Sequence, residues 1–269
     1  MSCPDCYKGF VLPGEPKGSM VGPDYFTPAR GDSTQPTKAI VLLTDIFGLA
    51  LSNPRIVADH LAEHIGVDVW IPDFFNGKPP LKVEDLEPYS PDRAGVKMKW
   101  TGALIFKVLL ALPRLIANRP SVVDPRVHAF IKKVRSEKGY ERIGAVGYCF
   151  GGAMAVRLGS TESVNTIVIA HPASLKPAQV RAIKVPASWL LAEALRIRTR
   201  KNPITLSTEF KIWNGKSSFL AHPGSPHPVR PCAGTAHGFA VRPNLQVPEV
   251  KAGYEGGLEQ TIAWFKKTL

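Results

Sequence analysis

Several large classes of protein are excluded by what this chain lacks. Its 269 residues contain no apolar run near the roughly 18 residues that a membrane span needs, so neither a spanning helix nor a membrane partner is expected. The first residues carry Pro4 and Asp5 and no apolar core of the kind a secretory signal has, so a cytoplasmic location is expected. Only 4 cysteines are present, too few and too scattered for a disulfide framework. Cys3 and Cys6 form the one close pair and read as free thiols on a surface strand or tail. A structural zinc site would need two more ligands, and Cys149 and Cys232 lie far apart in unlike contexts, so neither a metal nor another cofactor is expected.

Acidic residues are also scarce, with 22 Asp and Glu against 34 Lys and Arg, a net charge of +12. Such a balance raises the question of phosphate contacts to nucleic acid. The stretch from Arg196 to Arg242 holds eight Lys or Arg with only Glu209 on the acidic side. These charges are spread through Pro-rich and Gly-rich sequence without a periodic helix or an aromatic platform. A solvated basic surface that attracts small anions is therefore expected, and no nucleic-acid partner. There is no internal repeat or heptad array, and nothing in the sequence fixes an oligomeric state.

What is present alternates. Thr37 to Leu43 is an apolar, β-branched run that ends in Thr44, Asp45 and Gly48, the pattern of a buried parallel strand feeding a loop. Asn53 to Glu63 has helical spacing, with Ile56, Val57, Leu61 and Ala62 on one side. Val67 to Asp73 is the next strand, which completes a βαβ unit. The polar, Pro-rich segment from Asn76 to Arg93 reads as a surface excursion, and Thr101 to Ala117 returns to helical spacing. Helix, strand and helix follow at Pro125 to Glu137, Arg142 to Gly147 and Gly151 to Leu158. Strands at Thr166 to Ala170 and Val185 to Glu193 and a closing helix from Gly253 to Lys267 finish the series. The alternation predicts one α/β domain over residues 1–269, a mostly parallel sheet covered on both faces; it is lost between Arg196 and Ala233.

The sharpest feature is the run from Gly147 to Gly152, GYCFGG, set between a strand and a helix. A nucleophile flanked by glycines on such a turn stands at the carboxyl edge of the sheet. With 23 Gly and 4 Cys in the chain, about 0.03 occurrences of Gly-x-Cys-x-Gly are expected by chance. A thiol of ordinary pKa, about 8.5, is mostly protonated at neutral pH, but Cys149 at a helix N-terminus gains some support for its anion. An imidazole must take the thiol proton and return it to a leaving alkoxide. Of the seven histidines, His237 is best placed, in a glycine-flanked loop between the last strand and the last helix. His171 reads as a structural strand-end residue, and His60, His64, His128, His222 and His227 as solvated.

An oxyanion hole needs two converging N–H groups. Phe150, the residue after the nucleophile, offers one, and Ile46 in the loop after the first strand the other. Asp45 either couples electrostatically to the thiol or caps its loop. For an acid behind the histidine, Glu193 is the only carboxylate after the strand that begins at Val185, because Ala194, Leu195 and Arg196 follow it.

These motifs together resemble the dienelactone hydrolase family, especially its fungal members. The matching segments are Ser2 to Cys6 (SCPDC), Asp45 to Gly48 (DIFG), Pro72 to Gly77 (PDFFNG), Gly147 to Gly152 and Ala236 to Arg242 (AHGFAVR). The resemblance implies an α/β-hydrolase fold and a Cys, His, Asp triad that hydrolyses small esters or lactones without metal or organic cofactor, with Cys149 and His237 on the family's nucleophile and base. The sequence departs from the family in three places. The acid position aligns with Leu195, Val241 stands four residues after the histidine where bacterial members have an Arg, and residues 196–232 are atypical. Two readings follow: a cysteine hydrolase in which Glu193 substitutes for the acid, or a catalytically impaired scaffold that binds a small molecule or a protein partner.

Overall fold

The structure is a computed structural model that describes residues 11–30, 37–193, 196–198, 203–205 and 229–269. Cys3, Cys6, Leu195, His222 and His227, with the expectations placed on them, lie outside the described residues.

One eight-stranded sheet organises the chain. Its strands are β1 (Ser19–Val21), β2 (Asp24–Thr27), β3 (Lys38–Leu43), β4 (Asp68–Ile71), β5 (Arg142–Tyr148), β6 (Thr166–Ala170), β7 (Ala187–Ala192) and, last in the chain, β10 (Val229–Cys232). Across the sheet they run β1-β2-β4-β3-β5-β6-β7-β10. β1, β2 and β4 pair antiparallel, and from β4 to β10 every pairing is parallel. A separate two-stranded ribbon joins β8 (Arg196–Arg198) to β9 (Pro203–Thr205). β10 carries Pro231 and is tolerated because it lies on the sheet edge, where a missing N–H costs no interior ladder bond.

The helices are α1 (Asn53–Ile65), α2 (Val83–Leu86), α3 (Gly102–Ala117), α4 (Pro120–Lys138), α5 (Phe150–Leu158), α6 (Pro177–Arg181) and α7 (Pro248–Thr268). Alternate strand residues feed two cores. Ile40, Leu42, Val69 and Val146 pack with α1 and α7 on one face of the sheet. Ala39, Val41, Leu43 and Ala145 pack with α4 and α5 on the other. Both faces are covered, so the central strands are apolar throughout rather than alternating with polar residues.

Two expectations need correction. The Asn76 to Arg93 segment is only partly a surface excursion: Leu81 and Val83 are buried with Phe47 and Ala111 in a third apolar cluster beneath α3. α4 begins at Pro120 rather than near Pro125, because Pro120 takes the first helical position, where its missing N–H costs nothing.

Candidate active site

Parallel strands all end on one edge, and the polar residues singled out from the sequence gather there. Asp45 follows β3, Cys149 follows β5, His171 follows β6, Glu193 follows β7 and His237 follows β10.

Cys149 occupies the turn from β5 into α5 with φ 52° and ψ −108°, a conformation that strains a residue bearing a Cβ. Backbone bonds hold it there: its N–H donates to Ala170 O at 3.1 Å, and its carbonyl accepts from Ala153 N at 3.1 Å and Ala173 N at 2.8 Å. The glycines make the bend possible by close approach. A Cβ on Gly147 would lie 2.1 Å from the Gly151 carbonyl oxygen, and one on Gly151 would lie 2.2 Å from that of Leu43. Gly151 N–H donates to Thr44 O at 3.0 Å, which ties the loop after β3 against the turn. As a result the backbone N–H groups of Phe150 and Ile46 both bear on the Cys149 sulfur.

Electrostatics at the sulfur run against the expectation from the helix terminus. Burial pushes the Cys149 thiol up to about 12, with the Asp45 carboxylate adding to the rise; Arg242 and the Phe150 and Ile46 N–H groups oppose it but are outweighed. Desolvation of a thiolate costs more here than the turn's N–H groups return. The resting sulfur is a neutral thiol.

Asp45 is 1% exposed, accepts the Phe47 N–H at 3.1 Å and takes Arg242 Nε at 2.9 Å. The Arg242 guanidinium lies 4.7 Å from the centroid of the Phe47 ring and acts on Cys149, His171 and His237 alike. Arg242 is thus the cation of the site, which its sequence position, one residue beyond the family's expected Arg, conceals. Val241, at that expected position, is fully buried in the core.

His237 is exposed at the rim of the site, and desolvation by the neighbouring protein, reinforced by Arg242, lowers its pKa to about 4. Its ring meets that of His171 edge-on, with centroids 5.0 Å apart. His171 is fully buried at φ 33°, and among the described residues neither of its ring nitrogens has a hydrogen-bond partner. Burial holds it neutral, its pKa well below the usual imidazole range. His171 is therefore more than a strand-end residue: it forms the wall against which His237 rests. Phe239 closes on the same ring at 5.6 Å.

Glu193 is placed differently from the triad arrangement. Its Oε2 accepts the Gly234 N–H at 2.7 Å, so it grips the backbone of the loop that carries His237. Among the described residues no hydrogen bond joins the His237 ring to Glu193 or to Cys149. Nor do the described residues hold any group of three or more His, Cys, Asp or Glu side chains arranged to bind a metal ion.

Comparison with known proteins bears on this arrangement. The dienelactone hydrolase family model matches residues 27–269. The chain belongs to the dienelactone hydrolase family. Among curated proteins, Hydrolase tropI of Talaromyces stipitatus is 29% identical over 265 residues, which cover 97% of this chain and 94% of that protein. The human carboxymethylenebutenolidase homolog is 24% identical over 233 residues, covering 86% of this chain and 82% of that protein. The crystal structure of a dienelactone hydrolase from Anabaena variabilis superposes with a TM-score of 0.56 at 12% identity, covering 91% of each chain. The sheet and its covering helices are those of the α/β-hydrolase fold. Like its relatives, this dienelactone hydrolase family member is a hydrolase. No described helix is long and apolar enough to cross a membrane.

Proposed function

We propose that this hydrolase cleaves small carboxylic esters or lactones through Cys149. The observation that carries the reading is the strained turn that stands Cys149 before α5, with the Ile46 loop tied against it by Gly151 N–H on Thr44 O at 3.0 Å, which leaves the Phe150 and Ile46 N–H groups beside the sulfur. Two donors aimed at one point serve a negative oxygen as it forms, and they need no reorganisation at that moment.

In the first half-reaction sulfur attacks the carbonyl carbon while His237 takes the thiol proton. With the thiol raised to about 12 and the imidazole lowered to about 4, both groups start neutral, so proton transfer accompanies attack instead of preceding it. The Ile46 and Phe150 N–H groups hold the tetrahedral oxyanion. Its collapse breaks the C–O bond, and the leaving oxygen receives the proton from His237; from a lactone it stays tethered to the acyl group. In the second half-reaction water attacks the thioester and gives its proton to His237. The C–S bond breaks, the acid is freed and the proton returns to sulfur. Proton transfer requires the His237 ring to reach the sulfur once substrate is bound. Glu193 serves as a positioning residue through Gly234, and Arg242, paired with Asp45 at 2.9 Å, fixes the Ile46 loop against the His237 loop.

Turnover of p-nitrophenyl acetate tests the scheme. Cys149→Ser and His237→Ala each lower kcat/KM by about 10²-fold or more while the circular dichroism spectrum is retained. Acid quench during turnover traps an acetyl group on the Cys149 peptide. A second reading, an impaired scaffold that binds a small molecule or a protein, draws on the hydrogen bond that commits Glu193 to Gly234. Turnover equal in the wild type and both variants, with no acetylated peptide, would establish that reading instead.

A further inference from the structure

We propose that α3 docks this protein on anionic lipid surfaces. The sequence led us to expect no membrane partner, but the run lengths behind that expectation bear only on spanning helices, and α3, at 16 residues with Lys107 and Arg114 within it, is no span. A helix that lies in the interface needs something else: an apolar face, basic residues at its margin and no acid among them.

α3 meets each requirement. Leu104 and Ala111 are its only buried residues, and with Val108 and Leu115 they make a stripe along one side. Ala111 and Leu115 of this stripe pack on the cluster built around Phe47, Leu81 and Val83. At about 100° per residue, Phe106, Leu109, Leu110 and Ile116 fall on the opposite side, with Ile105 and Leu112 on its flank. All six are exposed, Phe106 at 61% and Leu110 at 64%. No charged residue interrupts this outward face. A helix apolar around nearly its whole circumference is normally buried, and exposed apolar surface on this scale marks an interaction site. Trp100, 65% exposed, stands just before the helix and supplies the aromatic ring that prefers the lipid–water boundary.

Charge selects the occupant. There is no Asp or Glu from Gly102 to Arg119. Lys107 is offset by Asp85 at 3.0 Å, but Arg114 and Arg119 are exposed and make no ion pair among the described residues. Asn118 Nδ2 donates to Lys78 O at 3.3 Å, which brings the exposed Lys78 to the same end of the helix. Two copies of the chain, each with net charge +12, would bring these cations into apposition. An anionic headgroup layer is complementary to them, and each basic residue near such a surface strengthens binding severalfold. Because Ala111 and Leu115 on the inner side of α3 cluster with Phe47, the helix that docks also covers the Ile46 loop. The docking itself does not depend on the chemistry at Cys149.

Flotation of the full chain on a density gradient tests the proposal, using vesicles of phosphatidylcholine alone and of phosphatidylcholine with one-third phosphatidylglycerol. The chain is expected to float with the anionic vesicles and not with the neutral ones. The double variant Leu109→Asp, Leu110→Asp is expected to stay at the bottom at unchanged Tm, since both residues face solvent. Arg114→Glu with Arg119→Glu is expected to lower the bound fraction at least about tenfold. Wild type that remains at the bottom with anionic vesicles overturns the proposal, as does flotation that the Leu variant leaves intact. So does a dimer seen by light scattering that the Leu variant dissolves while no vesicle binding occurs, because the occupant is then a second copy.

Discussion

The Cys149 turn and the His237 loop meet on one sheet edge but are held there by different means. The turn inherits its shape from β5, β3 and β6: glycine contacts closer than any side chain permits, and backbone bonds to Thr44, Ala170 and Ala173. Apart from the Ala94 N–H bond to Gly234 O at 2.9 Å, the loop rests on side chains, with Glu193 on Gly234, Arg242 on Asp45 and the ring of His171 against that of His237. Geometry built into backbone packing fails together with the fold, whereas geometry held by side chains fails in function first. Substitutions on the two sides should therefore separate stability from activity.

Gly151→Ala gives the largest effect. Its Cβ would lie 2.2 Å from a carbonyl oxygen of the central strand β3, which has no room to retreat. The variant is expected to lose about 3 kcal/mol or more, or to be recovered unfolded, as measured by urea denaturation. A variant as stable as wild type would show that the turn is not the fixed partner in the comparison.

Asp45→Asn acts where the two regions join. It leaves the Arg242 guanidinium, 9% exposed, without its counter-charge, at an expected cost of about 3 kcal/mol. It also removes a negative charge that raises the Cys149 pKa and frees the Arg242 charge that lowers it. The thiol pKa is thus expected to fall below about 12, seen as an earlier rise of iodoacetamide alkylation with pH. An unmoved profile would mean that burial alone sets the thiol.

The sequence made much of this legible, and the particular failures are instructive. β3, β5 and β6 are apolar in consecutive positions because both faces are covered, and their runs read plainly. The glycines of the turn are a local signature, so the bend at Cys149 between β5 and α5 could be read from motif alone. The hairpin β1–β2 was not legible because its support is distant: the hydroxyls of Tyr25 and Thr27 donate to Asp59 on α1, more than 30 residues away. β10 hid in Pro-rich sequence because an edge strand needs little of the usual pattern. The His171 and His237 contact and the reach of Arg242 to Asp45, across 197 residues, are products of topology that no local spacing encodes.

His171→Phe tests the wall behind the loop by pH. The folded state holds His171 neutral well below the usual imidazole range, while the unfolded chain takes a proton below about pH 6.5. The unfolded state then binds more protons, so stability falls as pH falls through that range, by up to about 1.4 kcal/mol per pH unit for this group. His237, lowered to about 4, adds a loss of the same sign. Urea denaturation at pH 7 and pH 5 is expected to show a difference that shrinks by about 2 kcal/mol in the variant. An equal difference in the two proteins would remove His171 as the source.

Glu193→Gln gives the smallest effect, and its size decides how the loop works. The glutamine still offers an oxygen to Gly234 N–H, so only the charge on that hydrogen bond is lost, about 1 kcal/mol at most on an exposed side chain. A positioning role therefore predicts a kcat lowered less than about tenfold, unchanged KM and Tm, and a larger loss in Glu193→Ala, where the bond itself is gone. A triad acid behaves otherwise: removing its charge leaves the imidazole in the wrong tautomer at a cost of about 10⁴ in kcat. A loss of that size would mean that Glu193 leaves Gly234 and turns onto His237 during turnover, making the loop the moving part of the site.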